Sequence, residues 1–264
     1  MEEISHSDLH LRIPEMEADA EMRRLINAFN AMIERVETSF AHVNEFSSHV
    51  AHELKTPLAI IRGEVELALN ETRDIAEYQR VLTVTVEEID RLIRIIKDLL
   101  MLARLDFNPD VFRFEKINLK EFLAEIHEYT SILCEEKGVT SGLTVPDVDC
   151  FVRADRVHLR RLFLSLVHNA VKFTPAGGDI RINMAADGND VRISVADTGA
   201  GIAPADMEKI FEKFFRAHDA KTTSGTSLGL SIARSIARAH QGRIDVQSSP
   251  GQGSTFTVSL PAAP

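Results

Sequence analysis

One histidine stands in a setting that could carry out chemistry. His52 is followed directly by the acid Glu53 and, a little over one helical turn later, by Pro57. A neutral imidazole keeps a lone pair on one ring nitrogen, which can attack an electrophile such as phosphorus. With ten histidines in the chain, a solvated helix residue is the default interpretation, and we keep it for His42 and His49. The acidic neighbour and the proline favour a nucleophile at His52.

Further along the chain, a second set of residues has side chains that can bind a cation, a phosphate or a polar ligand. Asn169 offers an amide oxygen suited to magnesium, and Lys172, on the same helix face, can meet a phosphate as a point charge. Asp197 can accept a hydrogen bond from an exocyclic amine. Glycines let a backbone approach a ligand closely, although each one alone is consistent with an ordinary turn. The glycines in question are Gly199, Gly201, Gly225 and Gly229.

The histidine belongs to a long helical pattern. From Leu25 onward, apolar residues recur at alternating steps of four and three, with a polar exception at Ser39. This spacing is typical of a coiled-coil helix that needs a partner. Pro57 should bend that helix one turn after His52. The seam consists of Leu25, Phe29, Met32, Val36, Val43, Phe46 and Val50.

A second amphipathic run, between Ile89 and Leu102, predicts another helix. The polar stretch from Asn70 to Ala76 between the two runs can turn, so the simplest arrangement is a helical hairpin. A second copy of the chain would bury the surplus apolar faces in a four-helix bundle. The alternative is a monomeric bundle closed by the rest of the chain. We favour the homodimer because the seam begins well before the hairpin.

After a linker at 106–110, the pattern changes to mixed strands and helices. Alternating strands linked as hairpins predict an α/β sandwich with helices on one face of the sheet, so the fold class is α+β overall. Asp155 is a suitable N-cap for one of the helices. The predicted helices cover 119–133, 156–173, a segment after Pro204 and 228–240, and the predicted strands cover 179–185, 191–196, 243–247 and 254–260.

Composition excludes some classes of partner. The formal net charge is −10, which argues against nucleic acid or an anionic membrane surface. Apolar runs are far shorter than the roughly 20 residues that a membrane helix needs, and no signal peptide is recognisable. Cys134 and Cys150 have no metal-like spacing and fit a reducing cytosol.

Five short segments, in their order and spacing, resemble the conserved boxes of sensor histidine kinases. They are the phosphoacceptor box 46–58, the N box 169–175, the first glycine box 197–202, the F box 211–216 and the second glycine box 225–230. The resemblance implies an ATP site that contains Asn169, Lys172, Phe173, Asp197, Gly199, Gly201, Ile202, Phe215, Arg216, Gly225, Thr226, Ser227, Leu228, Gly229 and Leu230.

The resemblance also implies a reaction. ATP with Mg²⁺ would phosphorylate His52, assisted by Glu53, and the phosphoryl group would then pass to an aspartate in the receiver domain of a response regulator. Thr56 matches the position that orients water when the regulator is dephosphorylated, so phosphatase activity is expected too. A threonine before proline can also simply accommodate the kink.

Two positions depart from the family pattern. Ser165 stands where the N box usually begins with a second asparagine, one turn before Asn169, and Ser227 replaces the middle glycine of the second glycine box. Serine has a shorter reach than asparagine, which leaves Ser165 open as a ligand of magnesium beside Asn169. If position 227 needs a positive φ, serine costs roughly 1 kcal/mol or more there. Both departures concern ATP affinity rather than the fold.

The opening residues resemble the connector and second helix of a HAMP signalling module. We therefore expect the chain to be the soluble, cytoplasmic part of an inner-membrane receptor, attached to the membrane only through segments N-terminal to it. The alternative is a naturally soluble kinase with a coiled-coil lead. The predicted domains are the partial HAMP module 1–38, the dimerisation and phosphotransfer hairpin 39–106, the linker 107–111 and the ATP-binding domain 112–264.

Two other functions compete with a histidine kinase. An ATPase of the same nucleotide-binding superfamily would explain the glycine boxes but not the segment around His52. A non-enzymatic signalling scaffold would explain Ser165 and Ser227 as changes that disable ATP use. Labelling with γ-radiolabelled ATP separates the three, because phosphohistidine, free phosphate alone, or neither would be formed.

Overall fold

The computed structural model describes residues 12–14, 20–70, 73–107, 112–215 and 228–263. Internal contacts divide the chain into two compact units, Met1–Leu92 and Ile93–Pro264. The first is helical and the second combines a sheet with helices, which confirms the predicted fold class. The domain boundaries given above stay a prediction.

Helix α1 extends over Ala20–Asn70 and contains His52 and Pro57. The helix continues through Pro57, whose ring is buried. Near its start, the side-chain amide of Asn30 donates to the Ile13 carbonyl and accepts the Ile13 N–H, both at 3.0 Å. These bonds attach the described connector residues to α1.

Helix α2 covers Ile75–Phe107, so the predicted second helix is confirmed. Asp74 caps the helix by accepting the Glu77 N–H at 2.8 Å. The helix continues through Phe107, past the predicted start of the linker at 106. Its last part belongs to the second unit, where Asp98 forms an ion pair with Arg161.

The second unit is built on a seven-stranded sheet. The strands are β1 Glu115–Asn118, β2 Thr140–Thr144, β3 Phe151–Ala154, β4 Asp179–Asp187, β5 Asp190–Asp197, β6 Arg243–Ser248 and β7 Ser254–Ala263. Their order is β1-β3-β7-β5-β4-β2, with β6 paired to β7 beside β3. Among the described strands, only β2 and β4 pair in parallel. The predicted hairpin of β4 and β5 is confirmed, with Gly188 and Asn189 as its two-residue turn.

Three helices accompany this sheet: α3 Leu119–Lys137, α4 Arg156–Phe173 and α5 Gly229–Ala239. Alternate residues of β4 and β5 are buried, so one face of the sheet carries the core. Helix α4 is central to that core, since Leu162, Phe163 and Leu166 are fully buried. The predicted cap is confirmed, because Asp155 Oδ1 accepts the His158 N–H at 3.0 Å.

Several details differ from the sequence-based prediction. The short strands β1, β2 and β3 were not predicted. Helix α3 continues four residues further than predicted, to Lys137, and Gly138 in the left-handed conformation caps it. The helix expected after Pro204 is only two 3-10 turns, Pro204–Asp206 and Lys209–Phe211. Phe211 and Phe214 are both buried, and Phe214 has φ +67°, so the backbone leaves the helical conformation after the second turn.

Candidate functional site

His52 lies in the middle of α1 with its side chain exposed, whereas the neighbouring Glu53 is half-buried. Successive residues of a helix are about 100° apart around its axis, so the two side chains leave the helix on adjacent sides. The Thr56 hydroxyl is exposed as well and donates to the His52 carbonyl at 3.2 Å. The imidazole is therefore open to a large reactant, and an acid lies next to it.

Asp197, at the end of β5, is oriented by backbone groups from two segments. Its Oδ1 accepts the Gly199 N–H at 2.8 Å and the Ser254 N–H at 3.3 Å. Burial raises the pKa of the Asp197 carboxyl above its ordinary value, and the two backbone hydrogen bonds oppose that rise. With Oδ1 held in this way, Oδ2 is the oxygen that can accept from a ligand amine.

The two glycines of the first glycine box have no room for a side chain. A Cβ on Gly199 would lie 2.5 Å from the Phe173 carbonyl oxygen, and one on Gly201 would lie 2.0 Å from the Ser249 carbonyl oxygen. Gly201 also has φ +70°. The end of α4 therefore contacts this loop directly, and Phe173 O accepts the Ala200 N–H at 3.3 Å. Ile202 follows, with its N–H donated to Ser248 Oγ at 2.8 Å.

Helix α4 carries the predicted N box. Asn169 and Lys172 are half-buried, Phe173 is at the border of exposure, and the Lys172 ammonium lies 4.9 Å from the centre of the Phe173 ring. The last carbonyls of the helix are held by Lys137, whose ammonium donates to Val171 O at 2.6 Å and Lys172 O at 2.8 Å. A cation at a helix C-terminus also compensates the helix dipole.

The start of α5 approaches α4 closely. A Cβ on Gly229 would lie 2.7 Å from Ser165 Oγ. Leu228 is buried, Leu230 is half-buried, and Phe215 is half-buried at the end of the preceding described segment. The remaining predicted site residues lie outside the described residues: Arg216, Gly225, Thr226 and Ser227.

The donor set around Asn169 suits a magnesium ion that is held mainly by phosphate. Asn169 and Ser165 are one turn apart on α4, so their oxygens lie on one face. The described residues contain no group of three or more His, Cys, Asp or Glu side chains able to hold a metal. A hard cation with few protein ligands and several phosphate oxygens is the usual situation for magnesium.

Some supporting residues were missed by the sequence analysis. The turn between β6 and β7 contacts Asp197, since a Cβ on Gly253 would lie 1.9 Å from the Asp197 carbonyl oxygen and Gly253 has φ +82°. The proline and glycines of the segment 249–253 indicate a tight turn, but the sequence does not indicate which loop that turn contacts. Lys137 had no local signal.

Family models match three parts of the chain. They describe a HAMP domain at residues 1–38, a His Kinase A (phospho-acceptor) domain at 42–108, and a histidine kinase-, DNA gyrase B- and HSP90-like ATPase at 154–264. The glycine boxes therefore fall within the ATPase match and His52 falls within the phospho-acceptor match. No described helix combines the length and the apolar character needed to span a membrane.

Individual proteins agree with these matches. The sensor protein IrlS of Burkholderia pseudomallei is 35% identical over 99% of this chain, which spans 56% of that protein. The catalytic domain of histidine kinase ThkA is 31% identical and fully covered, with a TM-score of 0.52 over 58% of this chain. ThkA in complex with the response regulator protein TrrA aligns at TM-score 0.71, with 27% identity, over 86% of this chain and 64% of that one.

The full-length structure of ShkA in complex with AMPPNP is 31% identical, with a TM-score of 0.64 over 83% of this chain and 46% of that one. Fold and matches thus define a dimerisation-type helical hairpin joined to a nucleotide-binding α/β domain. This chain belongs to the sensor histidine kinase family.

Proposed function

We propose that this chain is an ATP-dependent protein histidine kinase that phosphorylates its own His52. The observation that carries the proposal is the exposed His52 beside Glu53 on α1. The backbone bond that orients Asp197 and the close packing at Gly199 and Gly201 in the second unit support a nucleotide site there. The match to the ATPase family and the AMPPNP complex of ShkA support ATP as the substrate.

The reaction we propose begins with attack by a ring nitrogen of His52 on the γ-phosphorus of ATP. A nitrogen–phosphorus bond forms as the bond from that phosphorus to the bridging β–γ oxygen breaks, and ADP leaves. Glu53 accepts or holds the proton on the other ring nitrogen.

Nucleotide binding is assigned to the second unit. Asp197 accepts from the adenine amine, Lys172 meets a phosphate, and Asn169, with Ser165 as a second candidate, holds Mg²⁺ together with phosphate oxygens. The ion supplies charge compensation when bound. The full set of proposed nucleotide contacts is Asn169, Lys172, Phe173, Asp197, Gly199, Gly201, Ile202, Phe215, Arg216, Gly225, Thr226, Ser227, Leu228, Gly229 and Leu230.

The phosphoryl group on His52 would then be transferred to an aspartate of a response regulator. The same protein would dephosphorylate that regulator with the help of Thr56. The complex of ThkA with TrrA supports a regulator as partner. The HAMP match supports a membrane receptor of which this chain is the cytoplasmic part.

We also propose that the chain is a homodimer. Apolar seam residues on α1 are exposed within one chain, among them Leu25 at 65% and Val43 at 58%, and on α2 Leu82 is exposed at 64%. A second copy would cover these faces in a four-helix bundle. Light scattering should give twice the chain mass of 29.4 kDa; a monomer would contradict the dimer.

Autophosphorylation is tested with γ-radiolabelled ATP on the wild-type chain and on His52→Gln, with His49→Gln as a control on the same helix. Acid-labile, base-stable label should appear on wild type and on the control but not on His52→Gln. Binding of a non-hydrolysable ATP analogue should persist in all three. Free phosphate without labelled protein would indicate an ATPase, neither product would indicate a scaffold, and label on His52→Gln would refute the assigned position.

A further inference from the structure

Three charged side chains meet between α1 and α2 beside His52. Glu53 comes from α1, whereas Glu88 and Arg91 come from α2. Arg91 Nη2 lies 4.0 Å from Glu53 Oε2, and Arg91 Nη1 lies 3.6 Å from Glu88 Oε2. Both distances are too long for hydrogen bonds, so the two interactions are electrostatic contacts between charged groups. The Arg91 guanidinium therefore lies between Glu53, the acid next to His52 on α1, and Glu88 on its own helix α2.

The cluster is shielded from water more than other ion pairs of the hairpin. The side chains of Glu53, Glu88 and Arg91 are exposed by only 15%, 18% and 22%. The pair Arg80–Glu64 also joins α2 to α1, but Arg80 is 58% exposed and its contact of 3.1 Å is a hydrogen bond. Electrostatic coupling is stronger in the less hydrated surroundings.

The cluster is poorly built for stability. Arg91 Nε and Glu88 Oε2 are buried and have no hydrogen-bond partner among the described residues. Unsatisfied buried polar atoms cost free energy, and charged pairs of this kind are weak evidence for a contribution to folding. Their place beside Glu53 offers another reason for their presence.

We infer that Arg91 is a positioning residue that holds the carboxylate of Glu53 in place for the reaction at His52. The inference rests on the proposed autophosphorylation of His52. Arg91 contacts Glu53 and acts on the reaction only through it, with Glu88 holding the other side of the guanidinium. A glutamate side chain is long and flexible, so it loses conformational entropy when it is fixed in the transition state. This loss is smaller when a cation already restricts its rotamers. Glu53 is then ready to hold the proton of the imidazole as the ring nitrogen attacks phosphorus.

The test is a double-mutant cycle on the full chain, measured as initial rates of phosphohistidine formation. Arg91→Gln should lower the maximal rate about tenfold, within the range known for coupled neighbours, and leave the KM for ATP unchanged. Arg91→Lys should recover part of the loss, because it keeps the charge. In a Glu53→Gln background, Arg91→Gln should change the rate by less than about twofold, because the group it positions is gone.

Arg80→Gln is the matched control, because it removes the other described Arg–Glu pair between α1 and α2 and should leave the rate unchanged. Thermal unfolding and the mass in solution are measured for every variant. If Arg91→Gln does not fold as the wild type does, Arg91→Lys and its cycle with Glu53→Gln serve instead.

An unchanged or higher rate, a changed KM for ATP, or an equal loss in both backgrounds would overturn the inference. If the wild-type chain forms no phosphohistidine, the proposed function fails, and the positioning of Glu53 fails with it. If the wild type is active and the cycle shows no coupling, only the role of Arg91 is rejected.

Discussion

Ser165 Oγ lies 2.7 Å from the position that a Cβ on Gly229 would occupy, so the N-box helix and the start of α5 meet at these two residues. The next nearest atom to that Cβ is Ser165 Cβ, at 3.9 Å. The collision is therefore with the hydroxyl alone, which is the group that distinguishes Ser165 from alanine. The small residue on one helix and the missing side chain on the other thus depend on each other.

We expect Gly229→Ala to lower the free energy of unfolding by about 1 kcal/mol and to weaken ATP binding, because the Ser165 hydroxyl or the start of α5 must move. In a Ser165→Ala background the same change should be neutral or stabilising, since only the helix propensity of alanine remains. Gly63→Ala is the control. Gly63 lies inside α1 with nothing within 4 Å of its Cβ position, so the alanine should raise the free energy of unfolding. Urea unfolding is measured for the wild type, both single variants, the double variant and Gly63→Ala. Additive effects of the Ser165 and Gly229 changes would contradict the contact.

Asp197→Asn should raise thermal stability at pH 7 while weakening ATP binding. The amide oxygen of asparagine can still accept the Gly199 and Ser254 N–H groups, but the ligand amine loses an ionised acceptor. Burial raises the pKa of Asp197, so the wild-type fold is most favoured where this group is protonated and loses stability as pH rises from the unfolded to the folded pKa. The advantage of the variant should therefore shrink at acidic pH. Differential scanning calorimetry of both proteins across pH checks this expectation. A stability difference that does not change with pH would contradict it.

Thr56→Ala should retain autophosphorylation and slow the dephosphorylation of the regulator. The Thr56 hydroxyl is exposed and bonded only weakly to the His52 carbonyl, at 3.2 Å, so its removal should cost the helix little. The measurement is the decay of phosphorylated regulator with the variant and nucleotide. Thr38→Ala removes an equivalent bond, to the Glu34 carbonyl, and serves as the control. Equal decay with both variants would leave Thr56 as a structural residue.

Lys137→Met should lower the melting temperature and reduce ATP affinity. The ammonium of Lys137 holds the last carbonyls of α4, and hydrogen bonds from a charged donor contribute roughly 1.5–3 kcal/mol. Lys137→Arg should restore part of both losses. Lys120→Met removes a solvent-exposed pair with Asp147 and should change neither. Titration with a non-hydrolysable ATP analogue decides it, and unaltered affinity in Lys137→Met would mean that the end of α4 does not position the site.

The features that could be predicted from the sequence are those set by neighbours along the chain. Asp155 caps α4 through a bond to His158, and Gly188 and Asn189 close the hairpin of β4 and β5; both depend on a few consecutive residues. The heptad pattern predicted α1 for the same reason, because helical spacing is read directly from residue order. The family resemblance added the order of the boxes, which no single motif carries.

The tertiary structure alone decided the rest, because its causes lie far apart in sequence. Strands β1 and β3 have four residues each and exist through pairing with each other and of β3 with the end of β7. The orientation of Asp197 depends on Ser254, and the exclusion of side chains at Gly253 depends on the Asp197 backbone. Such contacts have no local signature, since they form only after distant segments pack. The sequence by itself therefore determined which residues could react, and the packing decided which groups hold them in place.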